Sequence, residues 1–208
     1  EEGTVKVVSA DDIDTKNMFS EKDTDQSPDL SDATSMSVKD GENITIDAAG
    51  IYVLSGQAEN ASVIIDATKE DKVQLVLDSL AMTNKDTPCI YVKNAAKVSL
   101  TLKHSNDSLS VTGDFSSDGD TKTDAVIFST DDLTISGTGT LTIASSDNGI
   151  ACKDTLNVTG GNLNITCKGS ALESKDEILI SDGAVNITEC NDGLHAEDDD
   201  DDTKGYIY

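Results

Sequence analysis

The feature that most constrains this chain is a 22-residue repeat in its second half. Asn148-Gly-Ile-Ala-Cys-Lys-Asp154 aligns with Ser170-Ala-Leu-Glu-Ser-Lys-Asp176, and that with Asp192-Gly-Leu-His-Ala-Glu-Asp198. The segments that follow keep the step: Leu156 and Val158 fall on Ile178 and Ile180, and Leu163 and Ile165 on Val185 and Ile187. Backward, Ile150 maps to Ile127 and Leu156 to Leu133 at a step of 23, with the extra residue in the turn Ser136–Gly139. A period near 22 with about three short alternating segments per repeat is a solenoid signature, and coils stack at strand spacing, about 4.8 Å. The fold class is therefore all-β, a parallel β-helix. Inward ladders are expected at Ile127/Ile150/Leu172/Leu194, Leu133/Leu156/Ile178 and Ile143/Ile165/Ile187. A polar ladder, Thr142/Asn164/Asn186, is expected to face outward. A β-sandwich also spaces its strands by 8 to 12 residues, but gives no reason for a four-rung register.

Alternation reaches further back. Ile44-Thr-Ile46, Val63-Ile-Ile65, Val73-Gln-Leu-Val-Leu77 and Val98-Ser-Leu-Thr-Leu102 have the period of two that marks strands, and no segment sustains a period of 3.6. Those runs also argue against disorder, which the high net charge and 3% aromatic content would otherwise suggest. The β-helix is expected over residues 42–208. Residues 1–41 are polar and broken by Pro28, and read as a linker with one possible strand at Val5–Val8. Gly205-Tyr-Ile-Tyr208 reads as the start of another strand, so further coils are expected after residue 208, since solenoid ends need capping.

Charge excludes several partners. Fifteen basic residues, none of them arginine, stand against 40 acidic ones, for a net −25. Phosphate contacts need a basic surface, so nucleic acid is not an expected partner, and anionic lipid is disfavoured for the same reason. No run approaches the roughly 18 apolar residues of a membrane span, and no secretory leader is recognisable. No direct membrane insertion is expected.

The repeat concentrates part of that charge. Asp131, Asp154, Asp176 and Asp198 share one repeat position, with Asn94 below them if Ile90 aligns with Ile127. Adjacent carboxylates about 4.8 Å apart repel by about 3.5 kcal/mol at an effective dielectric of 20, and about 0.9 in water. They must splay into solvent, hold protons, or share a divalent cation. An all-oxygen set favours Ca2+, which accepts irregular geometry. Asp147 and Asp192 lie on a turn just before inward residues, Glu173 projects outward between them, and Glu197 opens the acidic run 197–202; all four join the candidate metal ligands. Asp118-Gly-Asp-Thr-Lys-Thr-Asp124 lies in an insertion spanning 103–124 and is similar to a calcium loop, but lacks the EF-hand spacing and terminal Glu.

Catalysis finds little footing. The only histidines are His104, in the insertion, and His195, at an outward position. Lyase chemistry needs a base near the acid ladder; Lys153 and Lys175 stand there, but as natural salt partners of Asp154 and Asp176. No pair of acids is singled out for glycoside hydrolysis. Cys152 shares an inward position with Ser174 and Ala196. Cys167 and Cys190 map one residue apart on adjacent coils, where a disulfide is one option, and Cys89 has no partner in view.

Five stretches in order, Gly50–Gly56, Asp71–Leu77, Ala125–Leu133, Asp147–Ile150 and Asn191–Leu194, resemble the carbohydrate-binding domains of clostridial surface proteins. The resemblance implies a right-handed parallel β-helix similar to pectate lyases, calcium binding, and attachment to plant-type polysaccharide without cleavage. The expected function is thus a non-catalytic, calcium-dependent polysaccharide-binding module, monomeric, at a bacterial surface or secreted, with cellulose- or pectin-type glycans as partners. Thr142, Asn164 and Asn186 are the expected glycan contacts. The alternatives are a calcium-dependent polysaccharide lyase and a structural stalk or adhesin.

Overall fold

A computed structural model describes residues 18–104 and 106–208. The described chain has no helix, and its parallel strands wind about seven turns of a β-solenoid with a spacing of about 23 residues. The expected strand at Val5–Val8 lies outside the described residues.

Each coil has three faces. The first is a seven-stranded sheet of β2 (Ile44–Ile46), β4 (Val63–Asp66), β6 (Ile90–Asn94), β9 (Ala125–Ser129), β12 (Asn148–Cys152), β14 (Ser170–Ser174) and β16 (Asp192–Ala196), each paired with the next. A second sheet bends to make the other two faces. Four long strands cross the bend: β3 (Gly50–Glu59), β5 (Lys72–Asn84), β13 (Thr155–Thr166) and β15 (Glu177–Glu189). Elsewhere the two halves are separate strands: β1 (Thr34–Ser37), β7 (Lys97–Leu102), β10 (Leu133–Gly137) and β17 (Tyr206–Ile207) on the second face, β8 (Asp107–Val111) and β11 (Thr140–Ser145) on the third. The bend needs a left-handed residue: Gly56, Ser79, Gly137, Gly161 and Gly183 all have positive φ there. At Gly137 a side chain is also barred by space, because a Cβ would lie 2.3 Å from the Leu102 carbonyl oxygen.

The expected inward ladders are all present in register. Ile44, Val63, Ile90, Ile127, Ile150, Leu172 and Leu194 pair rung by rung, three rungs more than the repeat alone reveals. Leu133/Leu156/Ile178 and Ile143/Ile165/Ile187 do the same on the other faces. The central rungs are sealed, whereas Leu194, in the last described coil, is 36% exposed. Burying one such side chain contributes roughly 1.5–3 kcal/mol.

Two expectations need correction. Residues 18–41 are docked rather than free: β1 pairs with β3, and Asp23 and Gln26 bond to the second face through Thr134, Gly137 and Thr159. A polar sequence conceals this because the contacts are hydrogen bonds to outward-facing groups. The insertion is also shorter than 103–124. Within it, Asp107–Val111 forms an ordinary rung, pairing Leu109 with Ile143 and Met82.

Because each coil is stabilised by its neighbours, position along the axis sets the cost of a cavity. Ile150→Ala is expected to lower stability by about 2–5 kcal/mol, and Leu194→Ala by clearly less. Urea unfolding of the two variants checks the order.

Candidate functional site

Between the first and second faces the chain makes a tight turn, and the expected acid column lies on it. Cys152 pairs with Ser129 and Ser174, and Ser174 with Ala196, so Asp131, Asp154, Asp176 and Asp198 occupy equivalent turn positions. Their environments differ. Asp131, buried, accepts from the Ala95 N–H at 3.0 Å and the Thr130 hydroxyl at 3.2 Å, and Lys69 closes on its other oxygen. Asp198 turns into its own loop, accepting from the N–H groups of Asp200 (2.9 Å) and Asp201 (3.2 Å), with Lys175 at 3.6 Å. The Asp200 N–H is the main reason its pKa falls below the ordinary carboxylate value.

Asp154 and Asp176 are the pair that meet. Burial first, then the hydrogen bond with Asp176 and the charge of Asp132, push Asp154 up to about 6. Lys204 reaches the Asp176 carboxylate from the following loop. Asp132, which sequence reasoning passed over, accepts from the Thr155 N–H at 3.3 Å, and burial raises its pKa. Its only sequence signal was adjacency to Asp131.

A second acidic place lies at the opposite edge of the first face. Asp114, Lys122, Asp124, Ser146 and Asp147 line a cavity of about 170 Å³. Asp124 Oδ2 pairs with Lys122 at 2.8 Å, while its buried Oδ1 has no hydrogen-bond partner among the described residues. Burial raises the pKa of Asp147. The bond to Asp124 and the charges of Asp147 and Glu173 hold Lys122 above the usual lysine value. Glu173 accepts from the Asn148 amide at 3.1 Å and faces Lys153 at 3.7 Å. Asp118, by contrast, is held by the Tyr91 hydroxyl at 3.2 Å and Lys93 at 2.8 Å, so the calcium-loop-like segment is a turn pinned to the first face.

The remaining expected ligands stand apart. Asp192 accepts from Asn191 at 2.6 Å, and Glu197 bonds His195 at 3.1 Å on the surface. Among the described residues no three His, Cys, Asp or Glu side chains converge as a ready metal cage. The eight expected acids are spread over two turns and over strands β14 and β16, and a lysine already pairs with several of them.

The polar ladder is built as expected. Thr142, Asn164 and Asn186 are paired rungs of the third face, continued below by Ser108, and Asn186 Nδ2 donates to Asn164 Oδ1 at 3.2 Å. All four cysteines are free thiols, so the Cys167–Cys190 bridge is not formed; burial pushes Cys152 and Cys89 up to about 12.

The model of the carbohydrate-binding domain-containing proteins matches residues 40–208. The chain belongs to this family. A carbohydrate-binding domain-containing protein of Acetivibrio thermocellus is 35% identical over 161 residues, which make up 75% of this chain and 54% of that protein. The chain thus spans about half the length of that relative. A gadolinium derivative of a polysaccharide lyase-like protein from C. thermocellum superposes with a TM-score of 0.77 at 29% identity, covering 83% of this chain and 77% of the other.

The Asp154–Asp176 pair gives stability a definite pH dependence. A carboxylate whose folded pKa is raised binds its proton more tightly when folded, so the contribution of Asp154 to stability is fully present below about pH 4 and is lost as pH rises through about 6. In chelator, Asp154→Asn should flatten that stretch of the profile and exceed wild-type stability at pH 7. Denaturant unfolding from pH 4 to 7 measures both.

Proposed function

We propose that the protein is a non-catalytic polysaccharide-binding module that works with calcium on a bacterial surface or in secreted form. Family membership supports the carbohydrate role. The observation that carries the binding mode is the outward ladder of Thr142, Asn164 and Asn186, exposed at Thr142 and Asn186 and half-buried at Asn164. It presents hydroxyl and amide groups at strand spacing along a flat face, matched to a chain of sugar hydroxyls running along the axis.

The acidic places suit a hard cation. Asp124 offers a buried oxygen with no partner among the described residues, and Asp154 and Asp176 are two neighbouring carboxylates whose repulsion a cation would relieve. Asp131, Asp154, Asp176 and Asp198 would hold calcium on one turn, and Asp124, Asp147 and Glu173 on the other, with Asp192 and Glu197 as outlying oxygens. Bound calcium would supply positive charge for sugar hydroxyls or uronate carboxylates that a −25 chain otherwise repels. Lys122 pairs with Asp124, Lys175 with Asp198 and Lys204 with Asp176, which holds these carboxylates in place.

The competing reading, a polysaccharide lyase, draws on the name of the structural neighbour. The cleft of about 250 Å³ containing Lys153, Lys175 and His195 is where it would act. Lys175 is ill suited as its base: the hydrogen bond to Asp200 and the charge of Asp198 raise its pKa above the ordinary lysine value, so it stays protonated. A purely structural stalk is the third reading.

Affinity electrophoresis on pectin- and cellulose-type glycans, with calcium and with chelator, tests the proposal. Retardation is expected in calcium alone, weakened about tenfold by Asn164→Ala with Asn186→Ala, as two lost hydrogen bonds imply. Binding unaffected by that double change, or absent altogether, contradicts the glycan face. Growth of unsaturated-sugar absorbance would establish the lyase instead.

A further inference from the structure

The outward residues of the second face ought to be as open to solvent as Thr142 and Asn186 are on the third. Gln74, Ser99, Thr134 and Asn157 form one outward column, yet they are only 4%, 7%, 0% and 3% exposed. Residues 21–29 run over this region, leaving a shallow groove of about 620 Å³ beside Ile51 and Gln74. Two side chains make the docking contacts. Asp23 Oδ1 receives Lys97 Nζ at 2.6 Å and the Thr134 hydroxyl at 3.0 Å, and the Asp23 carbonyl accepts from the Thr159 hydroxyl. Gln26 accepts from the Gly137 N–H at 2.8 Å and donates to the Thr159 carbonyl at 2.9 Å.

Removing these two side chains in thought leaves a built site. It has a mostly buried cation, Lys97, beside a hydroxyl donor, Thr134. Next to them is an edge offering an N–H at Gly137 and a carbonyl and hydroxyl at Thr159. Asn157 Oδ1, buried in the same column, has no hydrogen-bond partner among the described residues, so the covering segment satisfies the face incompletely. Charge next to alternating donors and acceptors is what a uronic acid needs: its carboxylate meets the lysine, and its hydroxyls meet the edge. Burial works against the Asp23 carboxylate, but its bonds from Lys97 and Ser20 outweigh that and hold its pKa below the ordinary value. The site is therefore organised for a carboxylate.

The geometry points to a second, covered saccharide site: residues 21–29 act as a strap whose Asp23 and Gln26 occupy a position on the second face that accepts the carboxylate and neighbouring hydroxyls of an acidic sugar. The site rests on the polysaccharide-binding reading for its ligand class but takes its positive charge from Lys97, so it operates without calcium.

Calorimetry of the full chain with trigalacturonate in chelator tests it. Asp23→Ala with Gln26→Ala should bind at least tenfold tighter than wild type, and adding Lys97→Gln should abolish the gain. Cellotriose and acetate, which carry only one of the two recognised features, should show no such gain. Equal binding by wild type and the strap variant, persistence of the gain without Lys97, or an equal gain for acetate would overturn the proposal. If the double variant fails to fold, proteolysis of wild type decides: trigalacturonate should speed cleavage within residues 21–29, and an unchanged rate contradicts the strap. Calcium-dependent retardation on polysaccharide, measured in parallel on wild type, fails or survives independently of these results.

Discussion

Parallel backbone pairing between successive coils is the interaction on which everything else depends. It stacks equivalent residues of each repeat at strand spacing, so any residue type chosen at one position is multiplied along the axis. Seven apolar rungs from Ile44 to Leu194 turn that multiplication into a continuous core. The same rule forces carboxylates at the turn into a column and amides on the third face into a ladder. Function follows from a side effect of stability: a surface whose chemistry repeats with the coil is suited to a ligand that is itself a repeating chain.

Stacking is favourable for Ile and Leu and costly for Asp, and the structure shows how the cost is managed. Asp131, Asp176 and Asp198 are each drawn to a different lysine, Lys69, Lys204 and Lys175. Only Asp154 is left to share a proton-binding interaction with a neighbouring acid. In each pair the carboxylate is largely buried and the lysine is at least 39% exposed, so solvent screens the attraction from the lysine side. The pairs nevertheless keep the turns ordered around sites that retain a strong net negative charge.

Where the repeat is regular, the fold was fully legible: the pairings of Ile150 with Leu172 and of Asn164 with Asn186 follow from the 22-residue step alone. Legibility failed where the physics is non-local. Lys69 meets Asp131 across 62 residues and Lys204 meets Asp176 across 28, and no periodicity marks either pair. The sequence of Asp107-Ser-Leu-Ser-Val111 does not distinguish this rung from an insertion, because one short alternation flanked by irregular chain carries little signal. The docking of Asp23 and Gln26 was hidden for the opposite reason, since polar residues that satisfy a polar face look like linker. Asp124 became notable only through burial, which its sequence neighbours Thr123 and Ala125 do not announce.

The central proposal is that the repeat's acid positions would hold calcium. Its most direct test is a titration with luminescent terbium, a calcium surrogate, followed by competition with calcium. The account predicts saturable emission displaced by calcium but not by equimolar magnesium. One class of sites should disappear in Asp154→Asn/Asp176→Asn and another in Asp124→Asn, while far-ultraviolet circular dichroism stays unchanged. Absence of saturable binding by the folded wild-type protein, or binding indifferent to both sets of changes, would contradict it.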